Sequence, residues 1–208
     1  MATTTPNYGW TVPTSTDLVK DGATAIETLG DAIDASMNTA LGTKKAGMVL
    51  LNTTSFSGVA SQSINDVFST TFTNYKAIVN ITAFSSDVDT FKMRLRVSGA
   101  DDTGSIYRYN MTQRYNGGFD QLTSTGTTDW VIHRYTRTVG YYGEFDFFNP
   151  FATNVTGLYT TGANPNRDVT EGSFTYASTN TTTSFTGFTF YPSAGTQTGT
   201  ISIYGVNK

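Results

Sequence analysis

Residues 91–97 read FKMRLRV, with apolar side chains at Phe91, Met93, Leu95 and Val97 and cations at Lys92, Arg94 and Arg96. Successive side chains of a strand point to opposite faces, so this alternation sends one set into a core and leaves the other in water. A sheet with one wet face needs a second layer on its dry face. After Gly47 the chain keeps supplying material for both layers. Strand patterns are read at 47–52, 75–84, 91–97, 106–115, 130–135, 141–148, 155–160, 172–177, 184–191 and 197–206. Turn clusters such as GADDTG at 99–104 and Asn116-Gly117-Gly118 separate them. Residues 53–63, rich in Ser, Thr and Gly, read as a loop. About nine or ten short strands of this kind predict an antiparallel β-sandwich, jelly-roll-like. The composition agrees: 20 Gly, 14 Phe and 12 Tyr, with only 14% charged residues. Aromatic and β-branched residues fit a pleated, half-buried surface. The last strand pattern stops two residues short of Lys208, which predicts a sheet completed within this chain.

One stretch departs from this rhythm. Residues 7–41 carry Gly22, Ile26, Leu29, Ile33, Ser36 and Ala40 at alternating steps of four and three, the spacing of a seam between helices. Ile26, Leu29, Ile33, Met37 and Leu41 also make one face of an ordinary amphipathic helix, with Glu27, Asp31, Asp34 and Asn38 opposite. Asp21 is the expected N-cap and Gly42 the expected residue after the helix. The apolar stripe needs a mate, and the pattern admits two: the chain's own β-domain, or copies of the helix and other proteins. Ahead of it, residues 1–16 read as an extended arm shaped by Pro6 and Pro13, with Tyr8 and Trp10 as rings to plug into a neighbour. The domains predicted are 1–45, an arm and helix, and 46–208, the β-sandwich. Lys20 stands against Asp17, Asp21, Glu27, Asp31 and Asp34 in the first 43 residues, a balance of −4, while the remainder carries +1.

Candidate chemistry is sparse. There is no Cys, which excludes disulfides and thiolate metal sites. His133 is the one histidine, so any Ser-His-Asp arrangement would have to use it; a structural role on a strand is the simpler reading. Glu144 and Asp146 share a strand face at a spacing near that of a glycosidase pair. Ion pairing with Lys92, Arg94 and Arg96 accounts for them equally well. Asp87, Asp89, Asp101 and Asp102 fall in turn-like stretches where Asp is favoured without a metal. No cofactor is expected. A net charge of −3 argues against nucleic-acid binding. MATTTPNYGW has neither a basic nor an apolar leader region, and no apolar run is long enough for membrane insertion. Tyr107, Tyr109, Tyr115, Trp130, Tyr135, Tyr141 and Tyr142 cluster in the middle third. Of these, Tyr107, Tyr109, Tyr115, Trp130, Tyr135 and Tyr142 are the candidate surface for a glycan or a protein partner, and filling of the sandwich and its subunit contacts accounts for the same rings.

The arm and helix, NYGWTVPTSTDLVKDGATAIETLGDAID, resemble the N-terminus of virion structural proteins of tailed bacteriophages, and the final GTISIYGVNK resembles their C-terminal strand. The resemblance implies a non-enzymatic particle component located in the virion, commonly a homotrimer. Its N-terminus would attach to other virion proteins through Tyr8 and Trp10 and oligomerise through Ile26, Leu29, Ile33 and Met37. Its β-domain would face outward, toward host-surface glycans. The chain lacks the extended shaft of a long fibre, so short tail fibre, spike and capsid decoration protein stay open, with a carbohydrate-active enzyme as the reading from another class.

Overall fold

A computed structural model of the chain describes residues 3–14, 16, 18–39, 47–115, 117–136, 138–165 and 170–206. The chain divides into two compact units, residues 1–46 and 47–208.

In the first unit the arm is a hairpin rather than an extended segment. Strand β1 (Thr3–Thr4) pairs antiparallel with β2 (Thr11–Val12). Pro6, Asn7 and Gly9 supply the turn, with Gly9 at a φ of 67°. The Thr5 hydroxyl accepts the Trp10 amide at 3.0 Å, and the Tyr8 and Trp10 rings stack with centroids 5.1 Å apart. Trp10 then donates its indole N–H to Ser36 Oγ at 3.0 Å, docking the hairpin on helix α1 (Val19–Met37). The helix begins two residues ahead of Asp21. Leu18 is the extended N-cap without a side-chain bond, and Asp21 sits in the first turn, where a carboxylate suits the positive end of the dipole. Gly42 and Ala40 lie outside the described residues.

The second unit is mainly β and its sheets are antiparallel. Its strands are β3 (Met48–Val59), β4 (Gln62–Ile64), β5 (Asn74–Phe84), β6 (Val88–Val97), β7 (Ala100–Asp101), β8 (Tyr107–Tyr115) and β9 (Gly118–Thr127). They continue with β10 (Trp130–Thr136), β11 (Tyr141–Phe148), β12 (Gly157–Pro165), β13 (Thr170–Thr179), β14 (Gly187–Pro192) and β15 (Gln197–Val206). One sheet runs β10-β6-β14-β4, with β7 beside β6; the other runs β3-β15-β5-β11-β12-β13-β8-β9. Residues 53–59 are strand, not loop. Thr53 and Thr54 suit a pleated surface, and β15 supplies register partners from Thr53 to Phe56 and again at Val59, with Thr54 opposite Ile201.

The two sheets meet through aromatic side chains. Phe91 on β6 packs against Tyr141 on β11 at 5.3 Å, and Phe188 on β14 against Phe147 on β11 at 4.8 Å. Such pairs add about 0.5–1.5 kcal/mol each beyond the area they bury. The even-numbered cations of FKMRLRV lie on the wet face: Lys92 and Arg94 approach Asp129 at 3.5 and 3.6 Å, and Arg96 pairs with Asp101.

Candidate binding face

Three of the aromatic residues proposed for a surface are core. Tyr107 and Trp130 are fully buried and Tyr109 nearly so. Burial is tolerable because their polar tips find partners. Tyr107 Oη donates to the Asp102 carbonyl at 2.8 Å and accepts from the Leu95 amide at 3.0 Å, and Trp130 Nε1 donates to the Ser178 carbonyl at 3.1 Å. Burial also raises the Tyr107 phenol above its ordinary pKa. Tyr135 is half-buried beneath the Arg134 guanidinium, 4.3 Å from its ring centre. The Tyr115 side chain lies outside the described residues. Among the five whose side chains are described, Tyr142 alone is exposed.

Tyr142 marks a face that the sequence reading missed. On β11, β12 and β13 every second side chain leaves the core, and the register aligns the outward ones in rows. Glu144, Thr161, Phe174, Thr112 and Gln121 make one row; Asp146, Tyr159, Tyr176, Asn110 and Thr123 make the next. Phe148, Gly157, Ser178, Arg108 and Thr125 make a third. The Tyr159 and Tyr176 rings lie 5.0 Å apart and Phe174 stands edge-on to Tyr176 at 5.9 Å. Tyr176 is 60% exposed. The strands that carry these rings read as ordinary sandwich strands in sequence. What sets them apart is which of their two faces meets β10 of the opposite sheet, as at His133 against Ser173, and this leaves the rings on the other side.

Open depressions lie on this face among the described residues. One of about 500 Å³ runs between Tyr142 and Glu144 on one side and Phe174 on the other, floored by Gly162, Ala163 and Gly172. A second of about 300 Å³ is bordered by Arg108, Asn110, Thr123 and Tyr176. A third of about 380 Å³ is bordered by Phe148, Gly157, Tyr159 and again Tyr176. Glu144 and Asp146 are not paired with Lys92, Arg94 or Arg96. Lys76 on β5 sits between them, 2.8 and 2.9 Å from their oxygens. The reason is topological: β6 belongs to the other sheet, whereas β5 lies beside β11 with Lys76 opposite Asp146. Burial alone would lower the Lys76 pKa, but the hydrogen bonds and charges of the two carboxylates outweigh it, and the net shift is upward.

His133 is fully buried on β10, its Nδ1 2.6 Å from Ser173 Oγ. Burial lowers its pKa to about 3, so the ring is neutral at ordinary pH. Its ring centre lies 5.1 Å from that of Tyr141. Tyr141 Oη lies over Gly143 and Gly162, whose missing Cβ atoms would fall within 2.5 and 2.1 Å of it. Thr160 and Asn164 flank Gly162 on the inward side of β12. Among the described residues, Tyr141 Oη, Thr160 Oγ1, His133 Nε2 and both polar atoms of the Asn164 side chain have no hydrogen-bond partner. This is a buried polar patch between the sheets, separate from the outer face.

In the first unit, Tyr8 is exposed and Trp10 half-buried on its own helix. Leu29 and Ile33 are half-buried; Ile26 is 65% and Met37 53% exposed, and Val19, seven residues before Ile26, is 96% exposed. No protein-family model, curated protein or solved structure matches the chain.

Proposed function

We propose that this protein is a structural component of a tailed-phage virion, of the short tail fibre or spike type. The N-terminal unit attaches to the particle and joins three copies through α1, and the β-domain is turned outward to the host surface. The observation that carries the reading is the open line on α1. Val19, Ile26 and Ile33 repeat at seven residues with Met37 completing the stripe, and three of these four are exposed. Trp10 occupies the neighbouring line through Ser36, so the hairpin covers one side of the seam and leaves the other for a second copy. Ile26 and Ile33 on this line, with Leu29 beside them, make an Ile and Leu seam of the kind that suits a trimer.

The β-domain is read as a jelly roll. Eight of its strands, taken in chain order as β3, β4, β5, β6, β10, β11, β14 and β15, pair first with last and inward from there. The pairs are β3 with β15, β4 with β14, β5 with β11, and β6 with β10. That is the pairing of one long hairpin rolled across two sheets. The strands β8, β9, β12 and β13 then widen one sheet beyond it.

Light scattering on the purified chain is expected to give a trimer mass, and Ile26→Asp a smaller species. A stable wild-type monomer would overturn the assembly. Gold-labelled antibodies on intact particles are expected to mark the tail; labelling over the whole head would make the protein a capsid decoration protein instead.

A further inference from the structure

The geometry points to the outer face of β11, β12, β13, β8 and β9 as the binding site for an extended neutral polysaccharide. The inference deepens the outward-facing reading of the β-domain by naming its ligand class. A sugar ring has an apolar C–H face and an edge of hydroxyls, and this surface repeats both complements. Phe174, Tyr176 and Tyr159 form a continuous ladder of rings with centroids 5.9 and 5.0 Å apart. Amide and hydroxyl groups stand beside them in the same rows. Gln121 Nε2 donates to Asn110 Oδ1 at 3.2 Å, which fixes both amides and leaves their remaining donors and acceptors turned to solvent.

Three features select the occupant. The three rows and the adjoining Lys76 carry two cations, Lys76 and Arg108, against two anions, Glu144 and Asp146, and Arg114 beside Phe119 at one edge adds a single positive charge, so the middle of the face is near balance and offers no strong pull to a highly charged polymer. The depressions are open and lie side by side, with Tyr176 bordering two of them. A compact small molecule needs a pocket that covers most of its surface, whereas a chain can lay one unit in each shallow trough. The core of a protein–protein contact is depleted of charge, but here ion-paired carboxylates and amides interrupt the rings.

The test uses the intact chain on immobilised neutral bacterial O-polysaccharides, with maltohexaose and chitohexaose as defined soluble probes. Wild type is expected to bind at least one of these. Tyr176→Ala is expected to weaken that binding at least tenfold and Asn110→Ala severalfold. Thr90→Ala, on the wet face of the opposite sheet beside Arg134, is expected to leave it unchanged. Thermal melting of each variant checks that the fold persists. Failure of wild type to bind any probe, or equal binding by Tyr176→Ala, would overturn the inference. A fall in oligomeric mass for Tyr176→Ala would also overturn it, by making the face a contact between copies. Particle labelling separates the two readings: tail labelling without polysaccharide binding removes only this inference, and binding by a protein absent from particles removes only the virion assignment.

Discussion

Tyr141 and His133 show how the interior constrains single residues. The Tyr141 ring lies on two glycines, and its hydroxyl has no hydrogen-bond partner among the described residues. Removing that hydroxyl therefore removes a desolvated group and no bond. Tyr141→Phe is expected to match or exceed wild-type stability in urea unfolding, within about 1 kcal/mol. Gly162→Ala is expected to go the other way by about 1–3 kcal/mol, because its new methyl would meet a buried ring with nowhere to move. For His133 the sign follows from linkage. The unfolded ring takes up a proton as pH falls through 6.5, while the folded ring resists until about 3. Stability from this group is present above pH 6.5 and is lost on acidification across that window, at most about 1.4 kcal/mol per pH unit. Unfolding of wild type and His133→Gln at pH 7, 5.5 and 4.5 checks this: the variant is expected to lose less between the extremes.

At the scale of elements, the open line of α1 gives a sharp expectation. Ile26→Asp and Trp10→Ala act on opposite sides of the seam. The first is expected to reduce oligomeric mass with helix content retained at high concentration. The second is expected to reduce helix content itself, measured by circular dichroism on the intact chain, because it removes the indole that holds the hairpin on Ser36. Much of this level was legible in the sequence. The alternation of FKMRLRV and the ranges 141–148 and 197–206 reappear as strands because each has one dry face. Residues 53–63 look like a loop in sequence because Ser and Thr serve turns and edge strands alike, and for 53–59 only the β15 partner decides between them. Strand β9 went unread for the same reason, its outward Gln121, Thr123 and Thr125 giving no apolar signal. The outer aromatic face was invisible for a different one. Buried Tyr107 and exposed Tyr176 sit in equally alternating strands, and which face meets the second sheet is settled by neighbours far away in sequence.

For the whole molecule, the consequential feature is that the first and last strands of the β-domain are partners. Met48 lies directly across from Val206, so the two ends of a 47–206 segment emerge about 5 Å apart. Ends that close can be joined by a short bridge and the chain reopened at an exposed loop. A short Gly-Ser bridge from 206 to 48, with new termini opened at the exposed Asn154, is expected to yield a circular permutant with an unaltered far-ultraviolet spectrum and a cooperative melt. By the same token the domain is a natural cassette: spliced into a surface loop of an unrelated carrier, it would need no gap in its host wider than one strand spacing.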